Sequence, residues 1–227
     1  MKNNQGCKYI IFLRVIFCIL FAISKLAYSK NYCIRPDYRA RKEYVHCDKT
    51  AESSKECQKE VYYLAKKIME KYGYKRILDL GCGSGYKLVT YFGDFETIGF
   101  EIEPTLSWLK EKYPNKRWEL SDFAKPFEEP VDLVICSDVI EHVLDPDKLL
   151  RWISLVDCKV IVFSTPDRTI LVKNHRGREK GPPRNKFHIR EWNYKEFERY
   201  IGKWFTIIEH IHMKKENMCQ VVVCSNS

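Results

Sequence analysis

The six residues from Ser137 to His142 (SDVIEH) contain three side chains that can hold or exchange a proton. Asp138 lies three positions before Glu141 and four before His142, so on a helical turn these polar groups share one face. An imidazole accepts a proton at neutral pH, and a neighbouring carboxylate can fix its orientation. We predict that His142 acts as a base or contacts a substrate, supported by Glu141. The alternative is that both side chains only bond to the backbone or cap neighbouring elements.

A glycine-rich segment upstream is suited to holding a nucleotide. The run from Ile77 to Gly85 (ILDLGCGSG) leads from an apolar strand into three glycines at alternate positions. A backbone without Cβ atoms can turn tightly there and let a ligand lie against it. The dinucleotide fingerprint Gly-x-Gly-x-x-Gly is not matched, because the third glycine comes one residue early. A tight turn without a ligand is the alternative for this loop taken alone.

Two further polar segments follow the next two apolar runs. Glu101 ends the run ETIGFE, about the interval at which an open α/β sheet places an acid that accepts hydrogen bonds from ribose hydroxyls. Asp122 and Phe123 follow the run RWEL and offer an acceptor for an exocyclic amine beside an aromatic face for a base. The carboxyl ends of successive strands are where such sheets bind ligands, so these residues predict a nucleoside site.

These positions require a parallel sheet to hold them. Residues 52–72 carry apolar side chains at helical spacing, and Gly73 ends the pattern as a C-cap does. The following apolar runs are separated by helix-length intervals, which predicts right-handed crossovers and helices on both faces of the sheet. The predicted parallel strands span residues 76–80, 96–101, 117–120, 131–136 and 159–164. A last helix is predicted at 193–201. After it, two apolar runs at 205–211 and 219–224 predict an antiparallel hairpin around the polar residues 214–217.

The motifs ILDLGCGSG, GFE, SDF and VDLVICSDVIEHVLDP, in this order and spacing, resemble those of the class I S-adenosylmethionine-dependent methyltransferases, in particular the small-molecule branch with a Glu-His-Val signature. The resemblance covers roughly residues 52–224. It implies a Rossmann-like, seven-stranded, mostly parallel α/β sheet with an antiparallel C-terminal hairpin, and S-adenosylmethionine as cofactor. The cofactor-binding residues that it implies, from the methionine end through the ribose to the adenine, are Asp79, Gly81, Cys82, Gly83, Gly85, Glu101, Asp122 and Phe123, together with Ser137.

A second resemblance concerns a metal. Asp138, Glu141 and His142, with His188 in FHIREW, are similar to the Glu-x-x-Glu-His and downstream His of magnesium-using small-RNA 2′-O-methyltransferases and of some quinone O-methyltransferases. A metal there would act as a Lewis acid on the acceptor hydroxyl, but magnesium prefers oxygen ligands. The ten cysteines contain no Cys-x-x-Cys pair and fit no zinc framework. We therefore predict no metal, and keep metal-assisted RNA 2′-O-methylation as an alternative.

The acceptor is indicated only by charge. The chain has 39 Lys and Arg against 30 Asp and Glu, and residues 173–190 hold seven of these bases with one acid, Glu179. Glycines and prolines predict a loop there, which as a basic lid would suit a phosphate or carboxylate; a solvated loop without a specific role is the alternative. We predict O-methylation of a small or carbohydrate- or lipid-linked acceptor in preference to nucleic acid. A non-catalytic cofactor-binding domain is the other alternative.

Residues 1–29 differ from the rest of the chain. One interpretation is a signal peptide, because the segment has a basic start, the apolar run Val15 to Ile23 and a small-x-small pattern at residues 27–29. A second is a membrane anchor that spans residues 9–28. A third is a start codon assigned too far upstream. Basic residues after the run favour a cytoplasmic location, where S-adenosylmethionine is made. We therefore predict a targeting or anchor segment at 1–29, an irregular lead-in at 30–51 and a cytoplasmic methyltransferase domain at 52–227.

Overall fold

The computed structural model describes residues 58–213 and 218–226. The two N-terminal segments predicted above, the start of the predicted first helix and the connection at 214–217 lie outside the described residues. Within the described ranges, no helix combines the length and the apolar character that a bilayer crossing requires. The candidate anchor at residues 9–28 belongs to the part of the chain that the structure does not describe.

Helices and strands alternate along most of the chain. The helices are α1 (Lys59–Tyr72), α2 (Tyr86–Tyr91), α3 (Thr105–Lys112), α4 (Pro146–Ser154), α5 (Arg168–Lys173) and α6 (Tyr194–Ile201), with a single 3₁₀ turn at Ile140–His142. The strands are β1 (Arg76–Leu80), β2 (Glu96–Glu101), β3 (Arg117–Leu120), β4 (Val131–Ser137), β5 (Cys158–Pro166), β6 (Thr206–His212) and β7 (Cys219–Ser225). Every strand that the sequence predicts is present, and the bounds differ by at most two residues.

The seven strands form one sheet in the order β3-β2-β1-β4-β5-β7-β6. Strands β1 to β5 pair in parallel, and β7 is antiparallel to both of its neighbours. The predicted Rossmann-like sheet with an antiparallel C-terminal hairpin is confirmed. Because the strand order reverses between β1 and β4, the carboxyl ends of these strands border a crevice at one edge of the sheet.

Helices cover both faces of the sheet, as predicted. One face is covered by α1, α2 and α3, which contribute buried side chains such as Met69, Leu88 and Leu109. The other face is covered by α4 and α6, whose Trp152 and Phe197 lie in a second apolar cluster. With both faces buried, the strands read as nearly continuous apolar runs. The polar residues that interrupt these runs at the carboxyl edge therefore mark the functional side of the sheet.

Candidate active site at the carboxyl edge of the sheet

The glycine loop between β1 and α2 has a left-handed backbone at alternate residues. Gly81, Gly83 and Gly85 have φ angles of 69°, 59° and 67°, which side chains with a Cβ rarely adopt. A Cβ on Gly81 would lie 2.5 Å from Val139 Cγ2, and one on Gly85 would lie 2.7 Å from the Trp118 ring. Protein packing thus requires two of these glycines independently of any ligand. Because Val139 follows β4, the glycine loop is packed directly against the segment that carries Glu141 and His142.

Glu101, at the end of β2, holds the glycine loop through its carboxylate. Its Oε2 accepts a hydrogen bond from the Gly83 N–H at 2.9 Å, and its Oε1 accepts one from the Ile102 N–H at 2.9 Å. Burial raises the pKa of Glu101, and these two backbone hydrogen bonds oppose the rise. Each carboxylate oxygen has a second lone pair, so Glu101 can accept ribose hydroxyls while it holds the loop.

Asp79, on β1, is a fully buried carboxyl whose second oxygen is unpaired. Its Oδ2 accepts a hydrogen bond from the Tyr62 hydroxyl of α1 at 2.8 Å. Its Oδ1 finds no hydrogen-bond partner among the described residues. Burial raises the pKa of Asp79 to about 7. An orphaned buried oxygen is costly unless a donor such as an ammonium group meets it, which fits the methionine end of S-adenosylmethionine.

The remaining residues predicted for the cofactor lie in two kinds of environment. The Cys82 side chain is buried in the core below the loop, so only its backbone faces the crevice. Asp122 is exposed and its Oδ1 accepts from the Ala124 N–H, while Phe123 packs edge-on against Trp152 with ring centroids 5.7 Å apart. Asp122 and Phe123 follow β3 at the same edge of the sheet, as an adenine site requires.

Ser137 and Asp138 are joined by a chain of hydroxyl groups. The Ser137 and Ser164 hydroxyls lie 2.8 Å apart, and Ser164 donates to Asp138 Oδ1 at 2.9 Å. The Cys219 thiol lies 3.6 Å from Asp138 Oδ2 and can donate to it. Asp138 itself has a left-handed backbone, with φ 52°. Its side chain is thereby directed towards β5 and β7.

In the structure, Glu141 does not form the hydrogen bond to His142 that the predicted support would require. Glu141 is fully buried, its Oε2 accepts from the Thr165 hydroxyl at 3.1 Å, and its Oε1 lies 3.9 Å from His142 Nε2, beyond hydrogen-bond distance. The Phe187 carbonyl oxygen, 2.7 Å from His142 Nδ1, accepts from that nitrogen instead. A backbone carbonyl from a distant loop therefore sets the orientation of the His142 ring.

Glu141, His142 and His188 form a cluster of metal-binding side chains. Each offers one ligand atom, and these atoms all lie within 4.8 Å of one another. The two imidazole rings meet edge-on with centroids 4.9 Å apart. Asp138 does not join this group, since its carboxylate is held by Ser164 and Cys219. The resemblance to metal-using 2′-O-methyltransferases grouped His188 and Asp138 with Glu141 and His142, and the structure brings His188 to this pair but leaves Asp138 outside the cluster.

The electrostatics of this cluster fit a cation. Burial, and secondly the nearby Asp138, raise the pKa of Glu141 to about 8. Glu141 Oε1 is buried and has no hydrogen-bond partner in the described part of the chain. His142 and His188 each have Nδ1 held by an oxygen acceptor, the arrangement that second-shell groups give to metal-binding histidines. Two imidazoles and one carboxylate with an orphaned oxygen are a suitable ligand set for a divalent ion.

The basic segment is a loop that ends at this cluster. Its Lys and Arg side chains at 173, 176, 178, 180, 184 and 186 are exposed. Arg184 ties the loop to itself by donating to the His175 carbonyl at 2.8 Å. The last turn places the Phe187 carbonyl on His142 and the His188 ring beside Glu141. The predicted loop is confirmed, and it supplies part of the candidate site as well as positive charge.

Sequence reasoning missed several residues that position the site. Tyr62 has the spacing of a core residue on an amphipathic helix, and Thr165 lies within an apolar strand, so neither has a local signal. Glu191 does have one, since it follows His188 by three residues, and its Oε1 lies 2.8 Å from His188 Nδ1.

Comparisons with known proteins identify the family and the fold. A family model described as a methyltransferase domain matches residues 43–214. Among solved structures, the fold is similar to that of the methyltransferase domain of bacterial CtHen1, with 20% identity, 74% of this chain and 98% of that chain covered, and a TM-score of 0.56. It is also similar to magnesium protoporphyrin IX methyltransferase from Synechocystis PCC 6803 with bound S-adenosylhomocysteine (SAH), at 16% identity, 75% and 84% coverage and a TM-score of 0.56.

A third similar structure is an S-adenosylmethionine-dependent methyltransferase from Clostridium acetobutylicum ATCC 824, at 15% identity, 78% and 95% coverage and a TM-score of 0.58. A search of curated protein sequences gives no match. These structural likenesses, at identities of 20% or less, establish the fold. Since the family model spans most of the residues from the lead-in to the C-terminal hairpin, the chain belongs to this methyltransferase family and uses S-adenosylmethionine as its methyl donor.

Proposed function

We propose that this methyltransferase acts on a hydroxyl oxygen of an anionic acceptor, with a divalent metal ion held by Glu141, His142 and His188. The observation that supports this proposal is the meeting of a buried, orphaned carboxylate oxygen with two oriented imidazoles. An ion at this place offsets the charge of Glu141, which burial otherwise disfavours. Two of these ligands, Glu141 and His142, follow β4 next to the glycine loop that Val139 contacts, so acceptor and cofactor would meet.

The cofactor half of the site would bind S-adenosylmethionine through side chains of β1, β2 and β3. Bound there, the sulfonium supplies an electrophilic methyl group. We assign the ribose hydroxyls to Glu101, the ammonium group to Asp79, and the adenine to Asp122 and Phe123. Methyl transfer is an in-line displacement, so the main task of these residues is to hold the donor in a fixed direction towards the acceptor. Ser137 supports this arrangement indirectly, because its hydroxyl bonds to β5.

The ligand types indicate which ion would be bound. A set with two imidazoles and one carboxylate suits manganese, iron, cobalt or zinc better than magnesium, which prefers oxygen ligands. A divalent ion held by these residues would lower the pKa of a coordinated hydroxyl, so that its proton could pass to solvent when the oxygen is methylated. His142 would then be a metal ligand. The metal-free alternative keeps His142 as the base, since its Nδ1–H donates to the Phe187 carbonyl and Nε2 is then the basic nitrogen.

The acceptor class follows from the basic loop. Its exposed Lys and Arg side chains precede the turn that carries His188 in the same loop, so a phosphate close to the reacting hydroxyl would be attracted. A small or a carbohydrate- or lipid-linked phosphate satisfies this requirement. RNA is the second candidate, and the number of basic residues along the loop favours it, because polyanions gain from many such contacts.

One experiment addresses the metal and the acceptor together. Protein freed of metal by a chelator is titrated with Mn²⁺ by calorimetry, and SAH formation is then measured with glycerol phosphate, ribose 5-phosphate and an oligoribonucleotide against neutral glycerol and ribose. We expect Mn²⁺ binding that His188→Ala abolishes, and turnover that needs both the ion and a phosphate. His175→Ala, which removes an exposed histidine from the same loop, is the matched control. Full turnover in the presence of chelator would leave His142 as the base and reject the metal.

A further inference from the structure

We propose that Glu191 is a positioning residue of this site, which holds His188 in one tautomer so that His188 Nε2 is the coordinating nitrogen. The proposal rests on the metal-assisted function above and assigns a role to a carboxylate outside the cluster of metal-binding side chains. His188 Nδ1 lies 2.8 Å from Glu191 Oε1, and both residues are buried, with 8% and 1% of their surface exposed.

The tautomer follows from the types of atom that meet. A carboxylate can only accept a hydrogen bond, so the proton of the pair lies on His188 Nδ1. In the neutral ring the lone pair is then on Nε2. Within the described ranges, Glu191 Oε2 has no hydrogen-bond partner. Among these residues, the hydrogen bond from His188 to Oε1 is therefore the contact that holds this buried carboxylate. Removing the carboxylate would take away the acceptor that holds the proton on Nδ1.

The other side of the ring supports the same assignment. Asn185 Oδ1 accepts from the Phe187 N–H at 3.0 Å, which fixes the Asn185 side chain with its NH₂ group facing His188. That NH₂ group lies 2.9 Å from His188 Nε2 and donates to it. A donor at Nε2 requires a lone pair there, in agreement with a proton on Nδ1. The amide and a metal ion therefore compete for the same lone pair, and metal binding displaces Asn185.

The two partners of His188 belong to parts of the chain that are held to different extents. The backbone around Glu191 is fixed to the sheet edge, because Ile189 N–H donates to the Glu141 carbonyl at 2.8 Å and Arg168 donates to the Glu191 carbonyl at 3.0 Å. Asn185, in contrast, lies in the exposed basic loop. Glu191 is thus a buried partner of His188 on a backbone tied to the sheet edge, whereas Asn185 is an exposed partner.

Calorimetric titration of the chelator-treated protein with Mn²⁺ tests this role. Outer-sphere partners of metal-binding histidines typically contribute about 10–100-fold in affinity, so Glu191→Ala should weaken Mn²⁺ binding by that amount. Asn185→Ala, which removes the competing donor, should bind Mn²⁺ as tightly as the wild type or more tightly. Glu198→Gln, an exposed acid on α6, is the matched control and should change nothing. A folded Glu191→Ala protein with wild-type affinity would overturn the proposal.

A second readout does not depend on the metal. Long-range ¹H–¹⁵N correlation spectra of the metal-free protein report which nitrogen of His188 carries the proton. We expect Nδ1–H in the wild type and in Asn185→Ala, and both tautomers in the double variant Glu191→Gln/Asn185→Ala, because the glutamine amide can either accept from Nδ1 or donate to it and no amide then donates to Nε2. Glutamine keeps the side-chain shape of Glu191, so this variant serves if Glu191→Ala does not fold. An unchanged single tautomer would overturn the role of Glu191, whereas absence of Mn²⁺ binding by the wild type with the expected tautomers would reject the metal-assisted function and leave Glu191 as an orienting partner of His188.

Discussion

The two halves of the candidate site are assembled in different ways. The cofactor half is built at the ends of three neighbouring strands, β1, β2 and β3, and its central contact joins the Gly83 backbone to Glu101. The metal half joins segments that are far apart in sequence, since Glu141 meets Thr165 of β5 and His188 of the basic loop. The first half depends on the strand ends and on the Tyr62 hydroxyl that holds Asp79, whereas the second depends on the docking of residues 188–192. Substitutions in one half should therefore leave the other half intact.

The largest effect is expected from Glu141→Gln. The variant keeps the side-chain shape but removes the charged ligand, so Mn²⁺ affinity and the rate of SAH formation should fall by about 100-fold or more. Affinity for S-adenosylmethionine, measured by calorimetry, should stay within about twofold of the wild-type value. This corresponds to the ~0.5 kcal/mol within which independent sites leave each other unchanged. Glu209→Gln, an exposed acid on β6, is the control. A parallel loss of cofactor affinity would show that the two halves are not independent.

Glu101→Ala tests the other half. The change removes the acceptor proposed for the ribose and leaves the Gly83 N–H without its partner, so affinity for S-adenosylmethionine should weaken by more than about tenfold. Mn²⁺ affinity should be unchanged. Calorimetry with each ligand separately measures both values. If cofactor affinity were the same in the variant, Glu101 would not belong to the cofactor site.

Asp79→Asn tests the cost of burying a carboxyl below the cofactor. Burial raises its folded pKa to about 7, well above the unfolded value of about 3.9, so the folded state binds the proton more tightly. This contribution to stability is present below about pH 4 and is lost as the pH rises to about 7. Urea unfolding at pH 6 and pH 7 should show a loss of about 1 kcal/mol in the wild type relative to the variant, about fivefold in the equilibrium constant. Equal losses in both proteins would contradict the assignment.

The smallest effect is expected from neutralising the basic loop. Replacement of Arg176, Arg178 and Lys180 by Gln should raise KM for an anionic acceptor about threefold at low salt, because exposed charges are screened and contribute little each. Neutral acceptors, cofactor affinity and Mn²⁺ affinity should not change. The difference in KM should vanish at high ionic strength. An equal effect on neutral acceptors would indicate that the loop acts by shape and not by charge.

The sequence places the residues of the proposed cofactor half at the sheet edge more directly than those of the proposed metal half, and the reason is physical. Apolar strands end in polar residues at a shared sheet edge, so Asp79, Glu101 and Asp122 could be placed without knowing any long-range contact. The position of His188 depends on how a long loop returns to the sheet, and the hydrogen bond between Phe187 and His142 spans 45 residues. Periodicity contains no information on such a contact. The role of the glycines was only partly predicted, because Val139 and Trp118 exclude a Cβ there by packing.

The bond between Tyr62 and Asp79 has a consequence for the first helix. Because the phenol of α1 and a ligand in the crevice would bind the same carboxylate, their binding energies are linked. An ammonium group on Oδ1 would keep Asp79 ionised, and an ionised carboxylate is the stronger acceptor for the Tyr62 hydroxyl. Occupancy of the crevice should therefore strengthen the attachment of α1 to the sheet, which slower amide exchange along α1 would report.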